Sequence, residues 1–383
     1  MALWASEVVT PYKVLKDSYV LIDVERGVIK GFSDKLPSDV KEAEEYPNGI
    51  IIPGMIDIHI HGAYGRDVSE GKVEAVLEMA KKLTRHGVTS FLPTVVTSPL
   101  SAIKESVRAV REALNIGQKG SRILGVHVEG PYLSVEKAGA EPVAYLRKPN
   151  LDEFLELYKI SGGSLRRITI APELEGSLEL IREAVGRGVI VSLGHSNATY
   201  DEAVRAMDEG ALLATHLFNG MRGLHHREPG VVGAFLERDD AYVEVIADLV
   251  HLHRATLRLV YKCKGSGRML LITDSIAATG LPDGIYELGP QKVTVKGGVC
   301  RLEDGTLAGS TLTMDRALKN MVKEVGVPLR EAVEMATSNP AKLLGLKSLG
   351  EVKVGAKADL AVLSRDLEVV ATYIEGTKVY ASD

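Results

Sequence analysis

The sequence predicts an α/β protein built around a (β/α)₈ barrel, and three observations support this fold class. Eight short runs rich in Val, Ile and Leu lie between residues 55 and 273, and helical patterns separate them. Such alternation is typical of βα units that form a parallel sheet, and eight units over roughly 250 residues match a barrel of this type. The runs show little polar alternation, as expected of strands buried on both faces. A doubly wound open sheet is the alternative.

The elements follow one another in a consistent order. Residues 8–52 carry strand-like runs at 19–22 and 27–29 and predict a small β module. The predicted barrel strands are 55–61, 88–92, 122–129, 167–172, 188–194, 211–217, 242–247 and 269–273. The predicted helices between them include 71–86, 98–114, 177–187 and 200–209.

The pattern changes after Asp274. Residues 283–308 are rich in glycine and predict a β-hairpin, inserted before the last barrel helices at 312–325 and 328–337. Strand-like runs return at 360–363 and 369–373. Because chain ends often meet, we expect this tail to pair with the N-terminal module. The predicted domains are a β-sandwich from residues 1–52 and 350–383 and a catalytic barrel over residues 53–349.

Composition narrows the classes of function. The net charge is −5 and no block of Lys or Arg occurs, which argues against a nucleic-acid partner. The two cysteines form no CxxC pair, as expected of a protein in the reducing cytoplasm. No run approaches the roughly 20 apolar residues of a membrane span, and we expect neither a signal peptide nor a membrane partner.

The segment Asp-Ile-His-Ile-His-Gly at 57–62 is the most informative motif. It follows an apolar run and lies on a predicted strand. Because side chains alternate along a strand, His59 and His61 point to the same face. Two imidazoles at the carboxyl end of a strand can form half of a metal site, since Zn²⁺ and related ions bind neutral imidazole nitrogen.

Further candidate ligands close other predicted strands. Active sites of such barrels lie at the carboxyl ends of the strands, so these residues are expected to gather at one rim. They are Glu129 after strand three, His195 after strand five, His216 after strand six, His251 beyond strand seven and Asp274 after strand eight. His127 shares a strand face with Glu129, but it has no evident chemical role and is expected to be structural.

The residue types suit a hydrolytic metal site. Glu129 can bind one ion or bridge two, and His195 and His216 supply neutral nitrogen. Asp274 is the expected general base, because a carboxylate beside a metal-activated water can accept its proton. Its alternative role is a helix N-cap. His251 can hydrogen-bond or polarise a carbonyl group.

The chain resembles the amidohydrolase superfamily and, within it, the N-acetylglucosamine-6-phosphate deacetylases. The resemblance covers essentially the full length. It rests on Pro53–Gly62, His127–Tyr132, Gly194–Ala198, Thr215–Met221, Leu224–Gly230, Thr273–Asp274 and Leu307–Ser310. The segments Ser338–Ala341 and Gly355–Leu360 are shared more widely across the superfamily. The Leu-Phe-Asn and His-His-Arg-Glu-Pro-Gly stretches are the specific ones.

The resemblance implies a distorted barrel with a β-sandwich built from both chain ends. It also implies hydrolysis of N-acetylglucosamine 6-phosphate to glucosamine 6-phosphate and acetate. The implied cofactor is one or two divalent ions, with Zn²⁺ expected first and Fe²⁺, Mn²⁺ or Co²⁺ compatible. Glu129, His195 and His216 would bind the principal ion, and His59 and His61 would bind the second.

The resemblance also implies roles around the substrate. Asp274 matches the general base, and His251 matches the residue that polarises the amide or contacts the sugar. Arg227 matches a phosphate-binding arginine that family homodimers supply to the neighbouring subunit. Its planar fork suits that task, and its alternative is a surface ion pair with Glu228. The remaining implied substrate-binding residues are Ala140, Glu141, Asn219, Gly220, Leu307, Ala308 and Gly309.

Glu141 departs from the family pattern, which commonly has histidine there. A carboxylate would repel a phosphorylated sugar unless it turns away or pairs with a cation, for which Arg147 and Lys148 are the candidates. A second departure is Leu249-Val250, where the family often has smaller or polar residues.

Two alternatives to a sugar deacetylase remain. One is another amidohydrolase that acts on a related N-acyl sugar or on a cyclic amide. Many such enzymes bridge two metals with a carboxylated lysine at the end of strand four, where this chain has Pro172-Glu173. The other is a catalytically inactive barrel that acts as a scaffold, which retention of every proposed ligand argues against.

Overall fold

The first four strands begin a β domain at the N-terminus. The computed structural model describes residues 1–117 and 120–382. The strands are β1 (Ala2–Val9), β2 (Val14–Asp23), β3 (Val28–Ser33) and β4 (Ala43–Pro53). Strand β1 pairs antiparallel with β2 and parallel with β4, so it lies between them.

The next eleven strands contain the barrel. They are β5 (Met55–Ile60), β6 (Gly62–Ala63), β7 (Arg66–Asp67), β8 (Val88–Val95), β9 (Arg122–Ile123), β10 (Val126–Glu129), β11 (Leu165–Ile170), β12 (Ile190–Leu193), β13 (Leu213–Ala214), β14 (Tyr242–Ile246) and β15 (Met269–Ile272). Strands β5, β8 and β10 to β15 pair in parallel, in chain order. The backbone N–H of Asp274 donates to the carbonyl of His59 at 2.9 Å and brings the last strand beside the first. The predicted barrel is confirmed, and the open sheet is not formed.

Amphipathic helices pack around this sheet. They are α1 (Val73–Leu83), α2 (Leu100–Ile116), α3 (Leu151–Ser161), α4 (Ser177–Gly186), α5 (Tyr200–Asp208), α6 (Gly230–Glu237), α7 (Arg254–Lys264), α8 (Met314–Asn320), α9 (Leu329–Ala336) and α10 (Ser338–Leu343). In α2, the buried residues Ile103, Val107 and Val110 recur at helical spacing and face the core. No helix in the described part of the chain is both long and apolar enough to cross a membrane.

The glycine-rich insertion forms a small antiparallel sheet over the barrel rim. Its strands are β16 (Gly284–Leu288), β17 (Gln291–Lys296) and β18 (Val299–Arg301). The predicted hairpin therefore has a third strand, β16, which the interruptions by Gly and Pro concealed. Val293, Val295 and Cys300 pack with Val96 and Ile276 in a separate small core. This core fixes the insertion above the carboxyl ends of the barrel strands.

The tail completes the β domain. Strands β19 (Leu360–Leu363), β20 (Val369–Ile374) and β21 (Thr377–Ala381) join β1 to β4 in one seven-stranded sheet, in the order β21-β20-β19-β4-β1-β2-β3. The sheet curls over its own core, since the N–H of Ala358 donates to the carbonyl of Gly27 at 2.9 Å. In β4, Ile51 belongs to this core, whereas Ile50 and Ile52 belong to the barrel core. A small β domain built from both chain ends is thus confirmed.

Two predicted strands are shorter than expected. The run at 122–129 is divided into β9 and β10, because Gly125 has a φ of 134° that no extended strand accommodates. The run at 211–217 pairs only over β13, because His216 has a φ of 29° and leaves the strand geometry. The turn at Gly125 precedes β10, whereas the turn at His216 follows β13 at the rim.

Candidate active site

His59 and His61 project from the end of β5 toward two carboxylates. The Nε2 atoms lie 3.0 Å and 3.1 Å from the same oxygen of Glu129, Oε2. They lie 3.4 Å and 3.1 Å from Oδ1 of Asp274. All four side chains are buried, and their ligand atoms converge closely enough to hold a metal ion.

A second group meets the other oxygen of Glu129. The Nε2 atoms of His216 and His195 lie 3.1 Å and 3.4 Å from Oε1. The two Nε2 atoms are themselves 3.1 Å apart. Each oxygen of Glu129 therefore faces its own pair of histidines, which is the arrangement of a carboxylate that bridges two ions.

The separations between these atoms fit a metal. A tetrahedral or octahedral shell with metal–ligand distances of about 2.1 Å has edges of about 3.0 to 3.4 Å. Nitrogen and oxygen donors in this number suit a divalent cation of the transition series. The fit indicates that this chain binds a divalent metal at the carboxyl end of its barrel.

The backbone turns sharply at three of these residues. His195, His216 and Asp274 have φ values of 47°, 29° and 49°, a region that L-residues other than glycine seldom adopt. Such conformations recur at functional sites, where the surrounding structure enforces them. Asp274 caps none of the described helices, so the alternative role considered for it does not apply.

Hydrogen bonds orient two imidazole rings. Nδ1 of His195 donates to the carbonyl of Lys137 at 3.0 Å and leaves Nε2 as a free ligand. Nδ1 of His251 donates to Oδ2 of Asp248 at 2.7 Å. The other oxygen of Asp248 accepts from the backbone N–H groups of Val250 and His251 at 2.9 Å and 2.8 Å. His251 is therefore held in one orientation at the edge of the cleft.

The carboxylates and histidines shift one another's pKa values. Burial opposes ionisation of Asp274, but His59 and His61 outweigh it and lower its pKa to about 2. Burial likewise disfavours protonation of His59, but Glu129 and Asp274 outweigh it and raise its pKa to about 9. For Glu129, His59 and His195 overcome the burial and hold its pKa well below the usual range. Asp274 and Glu129 are consequently ionised near neutrality, as ligands and bases require.

A cleft of about 210 Å³ opens directly onto this cluster. Its lining brings together most of the predicted substrate-binding residues, namely Ala140, Glu141, Asn219, Gly220, His251, Leu307 and Gly309. Gly220 has a φ of 57°, and a Cβ there would lie 2.8 Å from Nδ1 of His195. The position therefore accepts only glycine without displacing a proposed ligand.

Two predicted residues lie elsewhere. Ala308 is buried in the small core of the insertion and does not line the cleft. Arg227 is exposed on the loop before α6, outside the cleft of its own chain. Its guanidinium contacts Nε2 of His226 at 2.7 Å. Among the described ion pairs it has none with Glu228, so that alternative is wrong.

Glu141 is buried beside the cluster, and its surroundings correct a prediction. Oε2 accepts from the backbone N–H of Thr97 at 3.0 Å. Burial, and then the charge of Glu129, raise its pKa to about 7. The cations considered as partners are engaged elsewhere: Arg147 pairs with Glu153 at 3.2 Å and Lys148 with Glu175 at 2.6 Å. Of the two alternatives considered for Glu141, pairing with Arg147 or Lys148 is therefore not formed.

Sequence reasoning missed a buried polar layer beneath the ligands. Arg167 and Glu244 form an ion pair inside the barrel. His127 lies beside them, with its ring nitrogens 3.1 Å from Thr94 Oγ1 and 2.8 Å from Thr169 Oγ1. It has the structural role expected of it. The available signal was the charge within two otherwise largely apolar strands, from Arg166 and Arg167 in Leu165–Ile170 and from Glu244 in Tyr242–Ile246.

Comparison with known proteins gives a consistent result. The amidohydrolase family model matches residues 50–379. The N-acetylglucosamine-6-phosphate deacetylase of Bacillus subtilis is 38% identical, over 98% of this chain and 96% of the relative. The N-acetylgalactosamine-6-phosphate deacetylase of Escherichia coli O157:H7 is 40% identical, over 91% and 92%. A solved complex of the Mycobacterium smegmatis N-acetyl-D-glucosamine-6-phosphate deacetylase with N-acetyl-D-glucosamine-6-phosphate superposes with a TM-score of 0.94 at 34% identity, over 100% and 99%.

Proposed function

The chain belongs to the amidohydrolase family, and from this premise we propose that its cleft is the active site of a metal-dependent amino-sugar deacetylase. It hydrolyses the N-acetyl group of N-acetyl-D-glucosamine 6-phosphate and releases D-glucosamine 6-phosphate and acetate. The observation that carries the assignment is the pair of ligand groups sharing Glu129, with Asp274 beside them and an open cleft in front.

We assign His59, His61, Glu129, His195 and His216 as metal ligands. Their donor atoms suit one ion or two, and Glu129 would be the bridge. Zn²⁺ is the ion we propose, although Fe²⁺, Mn²⁺ and Co²⁺ accept the same donors. When bound, such an ion polarises the amide carbonyl and lowers the pKa of an attacking water.

We assign proton transfer to Asp274. Its low pKa keeps the carboxylate ionised, so it can accept the proton of the water that attacks the amide carbon. The same proton then passes to the leaving amine. His251 is oriented by Asp248 at the cleft edge, where a ring that carries protons on both nitrogens would donate from Nε2 to the carbonyl oxygen as negative charge develops there.

We assign substrate contacts to the cleft lining. Asn219 and Gly220 are proposed to bind the sugar, and Ala140, Glu141, Leu307 and Gly309 to shape the pocket around it. Arg227 is proposed to bind the 6-phosphate of a substrate held by the neighbouring subunit of a homodimer. Its exposure outside its own cleft supports that direction. A cytoplasmic location is proposed from the cysteine content.

Acetate release tests the function. N-acetylglucosamine 6-phosphate, its unphosphorylated form and N-acetylgalactosamine 6-phosphate are compared with a defined metal. We expect the first to be hydrolysed fastest. The galactosamine substrate is included because a relative that is 40% identical bears that name. Preference for it would move the assignment to the other epimer, and inactivity on all three would refute sugar-phosphate deacetylation.

A further inference from the structure

The ion pair beneath the ligands is unusually buried for charged groups. Arg167 and Glu244 are both fully buried. The guanidinium donates to both carboxylate oxygens, with Nη2 2.9 Å from Oε2 and Nη1 contacting Oε1. A buried pair of this kind costs several kcal/mol of desolvation per ion and contributes little net stability compared with apolar packing. Stability alone is therefore a weak reason for charges at this position.

The remaining donors of Arg167 fix it to three strands. Nε donates to Oγ of Ser192 at 3.0 Å, and Nη2 donates to Oγ1 of Thr215 at 3.0 Å. Nη1 also contacts the carbonyl of Ile58 at 3.4 Å. Because a guanidinium is planar, these bonds determine where its fork faces Glu244. The carboxylate is consequently held in one place.

Glu244 in turn contacts a proposed metal ligand from each group. Oε2 lies 3.3 Å from Nδ1 of His59 and accepts from the backbone N–H of His216 at 3.3 Å. On the opposite edge of the His59 ring, Nε2 faces Glu129 and Asp274. A carboxylate can only accept, so Nδ1 of His59 donates to Glu244, and with a metal bound Nε2 would present its lone pair to that ion.

We propose that Glu244, held by Arg167, is a positioning residue for the metal site. It fixes the tautomer and ring orientation of His59 and anchors the backbone that carries His216. Carboxylates behind metal-bound histidines typically change metal affinity 10–100-fold. Within the described residues, Nδ1 of His61 and of His216 has no hydrogen-bond partner, so among the four rings only His59 has a carboxylate support. The inference rests on the proposed metal-dependent function.

The test measures metal binding directly. Metal content and Zn²⁺ affinity are determined by elemental analysis and competition with a chromophoric chelator, for the wild type and for Glu244→Gln. We expect the variant to bind Zn²⁺ 10–100-fold more weakly at the position that includes His59. The Co²⁺-substituted variant is expected to have an altered visible absorption spectrum. Asp315→Asn is the matched control, because it removes a carboxylate that pairs with a histidine, His86, outside the proposed metal cluster.

A separate control tests for a folding defect, since Glu244→Gln leaves Arg167 without its charge partner. The double variant Arg167→Met/Glu244→Gln removes both charges, and its melting is recorded in chelator. A purely structural role would lower metal-free melting and leave Zn²⁺ affinity and the Co²⁺ spectrum unchanged, which would overturn the proposal. Failure of the wild type to bind metal would instead overturn the proposed function itself.

Discussion

Asp274 lies in the proposed metal cluster, and the neighbouring histidines lower its pKa to about 2. Replacement by Asn keeps its shape but removes the ability to accept a proton. We expect Asp274→Asn to retain metal on Glu129, His195 and His216 and to lose about 10²–10⁴-fold in turnover. Steady-state acetate release with metal analysis checks this. Asp366→Asn, at an exposed position between β19 and β20, should behave as wild type, and turnover within tenfold of wild type for Asp274→Asn would exclude the base role.

Substitution of Arg227 tests the proposed recognition of the 6-phosphate. If its guanidinium binds the 6-phosphate of the substrate in the neighbouring subunit, Arg227→Ala should raise KM for the phosphorylated sugar about 10-fold or more. KM for the unphosphorylated sugar should barely change. Kinetics on both substrates measure the difference, and Arg26→Ala, an exposed arginine of the β domain, is the control. Equal effects of Arg227→Ala on both sugars would remove the phosphate role.

Glu141 lines the cleft in which we propose that an anionic substrate binds. Gln keeps the hydrogen bond from Thr97 and removes the charge. We expect Glu141→Gln to lower KM for the phosphorylated substrate by about 2- to 10-fold, a range that one charge at partial screening would produce. The unphosphorylated sugar serves as the internal control. An unchanged ratio of the two KM values would show that the charge is not felt at the phosphate.

At the scale of elements, β4 connects two cores. Ile51 packs in the β domain, so Ile51→Ala is expected to cost about 2–5 kcal/mol through lost burial and a cavity. Urea denaturation measures the loss. Ile285→Ala is the matched control, because that side chain is 73% exposed and its truncation should change stability by about 0.5 kcal/mol or less. A small effect of Ile51→Ala would mean that the domain repacks around it.

The elements also show what the sequence could and could not predict. The barrel strands were predictable because apolar runs and helical periodicity depend on neighbouring residues. The abrupt ends of strands at Gly125 and His216 were not, since they depend on φ values that the tertiary structure enforces. The proposed metal ligands could be identified from the sequence because each lies at or just beyond the end of a strand. Arg167 and Glu244 escaped because only the closed barrel brings these distant residues together.

At the scale of the whole molecule, the proposed ligands come from four separate regions of the barrel. A metal that binds only the folded chain stabilises it by about 2.7 kcal/mol at a hundredfold excess over Kd. We therefore expect chelation to lower Tm by several degrees and added Zn²⁺ to restore it, as measured by calorimetry. The variant His195→Ala/His216→Ala should respond far less. A wild-type Tm that is insensitive to both treatments would argue for an inactive scaffold.

The division into residues 1–52, 53–349 and 350–383 stays a prediction. Strand β4 ends at Pro53 and contributes to both cores, so the two units share a strand at their junction. A separately expressed barrel of residues 53–349 would lack Ile50 and Ile52. The barrel side chains that pack against these two residues would therefore be exposed to solvent. The β domain and the barrel are expected to unfold together.

The sheet order has a consequence for folding while the chain is synthesised on the ribosome. Strand β4 ends at Pro53, but its neighbour β19 begins only at Leu360. At about 5–20 residues per second, the nascent chain waits roughly 15–60 s for that partner. Throughout this interval β4 has an open edge, which favours pairing with other chains. A polypeptide released before residue 360 should therefore aggregate, even though every proposed metal ligand has already been synthesised.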